Sequence, residues 1–271
     1  MNRLKPSEIT AQRLVDALLR RVKNIPARLA WSRWSKANRS NRGLLNSYHN
    51  LHAGERCFIL GNGPSLAKTN FDLLKSEITF GLNRVYLLKE EFGFLPTYFV
   101  SINDLILSQF SEEIMELEMP KFLNWSQRNR YRADQHANFI YPKFGFNDSF
   151  QPDIRQQISS GGTVTFAAMQ IAYFMGFSEV VLLGVDHSFI AKGTPNETEQ
   201  REQAEDVDHF HPDYFPKGSK WQLPDLLRSE LAYQLAKEAF EADGRTIKDA
   251  TVGGRLTVFP KTTLEAVIDQ Q

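Results

Sequence analysis

An apolar run, Phe58-Ile59-Leu60, breaks into Gly61-Asn62-Gly63-Pro64-Ser65, and a helix-compatible segment follows from Leu66. Glycines let a backbone approach a phosphate closely, and free amides ahead of a helix favour an anion. Asn62 and Ser65 can donate to phosphate or ribose oxygens, as can the amides of Gly63, Ser65 and Leu66. Pro64 has no N–H to give. The turn is neither G-x-G-x-x-G nor a Walker loop, because no G-K-[ST] follows it. Plain punctuation between strand and helix accounts for the same residues equally well.

Other residues able to do chemistry follow apolar segments. Asn83 can read a ribose hydroxyl or a base edge, or simply form a turn. Asp104 and Asp186 can hold a divalent cation through phosphates, orient a sugar hydroxyl, or cap a helix. Gly161-Gly162-Thr163 opens the most apolar helical segment of the chain. There a glycine pair admits a ligand to the positive helix end, and Thr163 can also serve as an N-cap. His187 follows Asp186 directly. His209 and His211 stand in Asp208-His209-Phe210-His211-Pro212-Asp213-Tyr214. A histidine can take a proton from an acceptor hydroxyl near neutral pH. An H-x-H pair can also bind metal, but no H-E-x-x-H or paired-cysteine spacing accompanies it.

The elements that must position these groups read as strands alternating with helices. Strands are expected at 57–60, 78–82, 96–102, 121–125, 138–141, 180–184 and 246–248, with a terminal strand or extension at 256–259. Helices are expected at 71–74, 105–117, 164–174 and 226–242. Continuous apolar strands between helices point to an α/β fold, a mostly parallel sheet with helices on both faces. Asn83, Asp104 and Asp186 would then share one sheet edge with the Gly61–Ser65 turn, at the strand ends where open α/β sheets bind ligands. Residues 190–224 are long, polar and rich in His, Asp and Pro, and read as a lid insertion.

Lys plus Arg and Asp plus Glu number 32 each, but Met1–Asn50 holds eleven basic residues against Glu8 and Asp16. The chain reads as a basic arm on a mildly acidic globule, which argues against a nucleic-acid partner. Residues 8–34 read as basic amphipathic helix, able to pack on the domain or to rest on an anionic membrane surface. Residues 36–50 read as a polar linker. The division expected is 1–50 arm and linker, 51–260 nucleotide-binding domain, and 261–271 tail. Cys57 is the single cysteine, which excludes a disulfide framework and fits a reducing compartment. No apolar run of about 18 residues and no signal peptide are visible, so a cytoplasmic protein is expected, with contact at the inner face of the membrane if the arm binds lipid.

Phe58–Leu66, Gly81-Leu82-Asn83-Arg84, Tyr98–Asp104, Gly161–Gly176 and Val181–Ser188 together resemble the MptE-like family, named for archaeal 6-hydroxymethylpterin diphosphokinases. The similarity spans roughly residues 55–255. The same turn and following Asn are similar to those of bacterial sialyltransferases that use CMP-activated sugars, and of flagellar glycosylation factors. The resemblance implies a Rossmann-like fold with Gly61, Asn62, Gly63, Ser65 and Asn83 at the nucleotide. It implies a base among the lid histidines of the sugar-transferring relatives, placed here by local context at His209 or His211. The pterin enzymes transfer pyrophosphate from ATP with Mg²⁺, a role that would suit Asp104 and Asp186. The long His-rich lid and the basic arm favour the other branch: a glycosyltransferase with a nucleotide-sugar donor, CMP-linked by preference, and a glycan or glycolipid acceptor. A nucleotide-binding scaffold without turnover is the third reading.

Overall fold

The computed structural model describes residues 25–143, 145, 147–189, 195, 197–202 and 206–269. The chain divides into two compact units, Met1–Gly43 and Leu44–Gln271. Within the arm, α1 (Ile25–Ala30) is helical; residues 8–24 of the expected amphipathic segment lie outside the described residues. The expected polar linker is instead largely helix, α2 (Lys36–Asn46). Its polar composition hid it, although Asn38, Asn41 and Leu45 are buried.

The larger unit begins with β1 (Arg56–Leu60), β2 (Thr79–Leu82), β3 (Tyr98–Ser101), β4 (Lys121–Asn124), β5 (Ala137–Lys143), β6 (Gln157–Ser159) and β7 (Glu179–Leu183). A small antiparallel hairpin follows, β8 (Thr198–Gln200) with β9 (Lys220–Gln222), and then β10 (Thr246–Asp249). All but the hairpin join one sheet of eight parallel strands, in the order β10-β7-β1-β2-β3-β4-β5-β6. Sequence order therefore runs outward from β1 through β6, then reverses to the other side of β1. Leu60 pairs with Gly81 on one side and with Leu183 on the other.

Both faces are covered. One carries α6 (Val164–Phe174), nearly all buried, which packs across β1, β2 and β3 and against α7 (Leu226–Ala242). A helix apolar all round belongs between two layers, and burial of each large side chain contributes about 1.5–3 kcal/mol. The other face holds the short helices α3 (Leu88–Phe92), α4 (Asp104–Gln109), α5 (Ser111–Met115) and α8 (Leu264–Ile268) around Leu66, Phe99, Leu107 and Leu183. The single helix expected over 105–117 is two, broken at Phe110. The expected extension at 256–259 forms no strand; only an isolated bridge joins Asp249 to Lys261. The C-terminal tail contributes buried Leu264 and Val267 to the core.

The insertion carries the β8–β9 hairpin. Phe210, Tyr214, Phe215, Trp221 and Leu223 bury themselves in the same core cluster as Leu66 and Phe99. The described part of the lid is thus anchored to the domain by aromatic packing.

Candidate functional site

The reversal of strand order falls between β1 and β7, and in open α/β sheets ligands occupy the crevice at the strand ends of such a point. The Gly61–Ser65 turn leaves β1 there, beside Gly184–His187 leaving β7. The two segments are stitched together: Gly61 N–H donates to the Leu183 carbonyl at 2.7 Å and Gly63 N–H to the Gly184 carbonyl at 2.9 Å. A Cβ on Gly61 would lie 2.3 Å from the Gly184 oxygen, so only glycine permits this approach. The Asp186 carboxylate accepts from Ser65 N–H at 3.2 Å and from Ser65 Oγ at 2.7 Å.

This arrangement corrects one expectation. The amides of Gly63, Ser65 and Leu66 do not point to a phosphate; they donate to Gly184 O, Asp186 Oδ1 and Gly63 O. The negative charge at the start of the 3₁₀ turn Pro64–Lys68 is the protein's own Asp186, which fixes the turn. What remains open is Asn62. Its buried side-chain Oδ1 has no hydrogen-bond partner among the described residues. Its carbonyl accepts from Phe210 N–H of the lid at 3.0 Å.

Asn83 and Asp104 do line the same edge, at the ends of β2 and β3, but both side chains are engaged. Asn83 sits in the left-handed region at φ 50°. Ser101 Oγ donates to its Oδ1 at 3.0 Å. Asp104 Oδ1 accepts from Asn124 Nδ2, Ser126 Oγ and Gln127 Nε2 at 3.1, 2.7 and 3.0 Å. The N-cap of α4 is Asn103. Asp104 and Asp186 follow β3 and β7, with β1 and β2 between them, so about 14 Å of sheet separates them at roughly 4.8 Å per strand. They do not form one Mg²⁺ site, whose oxygen ligands lie at about 2 Å. The described residues contain no cluster of three or more metal-ligating side chains.

Gly161 and Gly162 have φ of 58° and 75°, and Thr163 caps α6 by accepting from Thr165 N–H at 3.3 Å. The cap reading of Thr163 is therefore realised. A Cβ on Gly161 would strike Phe166 and Ala232 at 2.5 and 2.6 Å. Because α6 runs back against the strands, its N-terminus lies at the carboxyl edge.

The histidines separate clearly. His211 is half-buried on its surface loop and accepts from Asp213 N–H at 3.1 Å. His187 sits at φ 54° and pairs through Nε2 with Glu230 of α7 at 2.9 Å. His209 is caged: its ring lies flat on Tyr214, centroids 4.0 Å apart and planes 2° apart, with Phe215 edge-on. Its Nδ1 faces Asp206 Oδ2 at 2.9 Å. Burial pushes the Asp206 carboxyl up, but the bond and charge of His209, the Arg201 guanidinium and the Asp208 amide outweigh it and hold the carboxyl below its ordinary value. The carboxylate therefore stands on the Nδ1 side of the ring, away from Nε2.

Asp206 and Tyr214 carry no signal of a role in the sequence. Arg84 carries a faint one, as a cation between Leu82-Asn83 and the apolar run Val85-Tyr86-Leu87. Burial pushes the Cys57 thiol well up, which agrees with an inert core residue. A cavity of about 310 Å³ opens elsewhere on this edge, past β7 and β10, between Lys68, Thr251 and Thr263; it does not include Asn62, Asn83 or His209.

The family model described as "6-hydroxymethylpterin diphosphokinase MptE-like" matches residues 35–192, more than half of the chain. The chain belongs to the MptE-like family. The match takes in the Gly61–Ser65 turn, Asn83, Asp104, Thr163 and Asp186 of this MptE-like protein, and stops before His209. No curated protein sequence matches it. Among solved structures, the MAf glycosyltransferase from Magnetospirillum magneticum AMB-1 superposes with a TM-score of 0.52 at 15% identity, covering 95% of this chain and 43% of that one. The likeness is one of fold, and the MptE-like protein spans less than half the length of that neighbour.

Proposed function

We propose that this MptE-like protein is a glycosyltransferase that moves a sugar from a nucleotide donor, CMP-linked by preference, to a hydroxyl of a glycan or glycolipid. The observation that supports this most is the Asp206–His209 pair, held on the lid directly beside Asn62 at the switch point. In this reading the donor's nucleotide lies in the crevice, contacted by Asn62 and by the Gly162 end of α6. Nε2 of His209 takes the proton of the acceptor hydroxyl. The acceptor oxygen bonds to the anomeric carbon as the bond to the donor phosphate breaks, and the nucleotide leaves. Asp206 stabilises the imidazolium that forms. Ser65, Asp186 and the turn glycines shape the crevice from behind.

The family's own description favours a second reading, transfer of pyrophosphate from ATP to a pterin-like alcohol. Asp104 is the edge carboxylate that would hold Mg²⁺ with the phosphates in that case. Thermal shift with CMP, CDP, UDP, GDP and ATP, each with and without Mg²⁺, separates the two. Ligand at a hundredfold its Kd stabilises by about 2.7 kcal/mol. Response to CMP without metal fits sugar transfer; response to ATP with Mg²⁺ alone refutes it. Binding without release of product from any acceptor would leave a scaffold.

The arm fits an acceptor held at an anionic inner membrane face. Leu29 and Trp34 are 69% and 74% exposed, and the Arg33 guanidinium stands over the Trp34 ring. No described helix is long and apolar enough to cross a membrane. Co-sedimentation with phosphatidylglycerol vesicles, but not with phosphatidylcholine ones, is the expected result. Equal behaviour with both would remove the membrane contact.

A further inference from the structure

We propose that Arg84 and Tyr214 are the positioning residues that hold His209 in place: Arg84 ties the lid backbone to the sheet edge, and the Tyr214 ring sets the plane of the imidazole. This rests on the reading of His209 as the base.

Arg84 is 5% exposed, yet it is not neutralised by a single partner. Its Nη1 donates to the carbonyls of Asp213 at 2.7 Å and Tyr214 at 2.5 Å. Nε donates to the Tyr86 hydroxyl at 3.0 Å and Nη2 to Glu113 at 3.0 Å. The guanidinium plane lies over Phe110, 3.9 Å from the ring centroid. A buried guanidinium is costly unless its donors are satisfied. Here all three nitrogens donate, and two of the acceptors are main-chain oxygens of the lid. A leucine or methionine would fill the same space without gripping that backbone.

The grip reaches His209 in one step. The backbone N–H of Arg84 donates to the Tyr214 hydroxyl at 3.4 Å. Tyr214 is thus held at its backbone and at its ring tip. Against that fixed ring lies the imidazole, parallel within 2°. Asp206 stands 2.9 Å from His209 Nδ1, but it lies on the same lid and cannot fix the lid to the crevice. Arg84 follows β2, at the edge where the donor is proposed to bind. Together with the bond from Phe210 N–H to the Asn62 carbonyl, it refers the base to the donor site.

The test uses the full chain labelled with ¹⁵N,¹³C-histidine. His209→Gln assigns the His209 signal among six histidines. The imidazole carbon-bound protons of His209 should be shifted upfield by the ring current of Tyr214. In Arg84→Met, and to a smaller degree in Glu113→Gln, that shift should collapse while the other five histidine signals stay in place. Tyr214→Phe keeps the ring and should keep most of the shift. In turnover, Arg84→Met should lower kcat roughly 100-fold, as expected for a displaced catalytic group, with donor KM little changed. Arg84→Lys should restore only part of it. An unmoved His209 signal in folded Arg84→Met overturns the proposal. If Arg84→Met does not fold, an unmoved signal in both Arg84→Lys and Glu113→Gln overturns it in the same way. Full activity of His209→Ala with a signal that still follows Arg84 would instead overturn the base assignment and leave the positioning intact.

Discussion

Replacing Asp206 by asparagine tests the proposed chemistry at its most specific point. The amide has nearly the same shape as the carboxylate, so the packing around His209 survives. The charge does not. Asp206 Oδ2 stands 2.9 Å from Nδ1, and its side chain is fully buried. With charge centres about 4 Å apart and an effective dielectric near 20, carboxylate and imidazolium attract by about 4 kcal/mol. That attraction exists only once the imidazole has taken a proton, which is the state reached as the acceptor hydroxyl is deprotonated. At about 1.36 kcal/mol per decade the loss is roughly a thousandfold in kcat. Arg201 Nη2, 3.3 Å from Asp206 Oδ1, would then repel the imidazolium and add to the effect. The assay is release of nucleotide from the donor at saturating acceptor, with donor affinity measured separately by calorimetry. Donor affinity should be preserved. A folded Asp206→Asn protein whose kcat stays within about threefold of the parent refutes the argument, since a charge this close cannot be silent at a base that becomes cationic.

His211→Ala should change kcat no more than about twofold, as for surface substitutions worth about half a kcal/mol, and a larger loss in a steady-state assay would move the base from His209. Asp206 also carries a pH signature: its carboxyl is held below the ordinary 3.8, so its contribution to stability is present above about pH 4 and is lost as pH falls through the lower folded value. The melting-temperature gap between parent and Asp206→Asn should therefore narrow below about pH 4, and a gap that stays constant from about pH 7 to about pH 3 contradicts this. Gly61→Ala should destabilise by about 1–3 kcal/mol in urea unfolding, because its Cβ meets backbone that cannot move aside. Gly43→Ala, within α2 and with nothing within 4 Å, should gain about 0.5–1 kcal/mol, and the reverse ranking would undo the packing account of the turn.

The parallel sheet was legible because its strands are buried on both faces and so read as unbroken apolar runs. Helices 164–174 and 226–242 were legible for a related reason: Thr163 and Asp225 cap their starts, and Gly176 and Gly244 stand just past their ends. The three-residue β6, Gln157–Ser159, was not, since a strand that short has no period to detect. The edge residues were legible by type but not by role. Ser65 and Asp186 are 121 positions apart, and nothing local announces that one carboxylate satisfies the other residue's amide and hydroxyl. His209 and His211 look alike in the chain; only the fold shows that one ring is stacked and paired while the other stays on the surface of its loop.

The place of β7 beside β1 also decides when the crevice can exist. During synthesis at about 5–20 residues per second, roughly 6 to 24 seconds pass between emergence of Ser65 and of Asp186. Throughout that interval one margin of β1 is an unpaired template and the glycine turn has no scaffold. The nascent chain therefore needs shelter from aggregation at its very centre, and a ribosome stall within α6 would release a half-sheet with the flank of β1 bare.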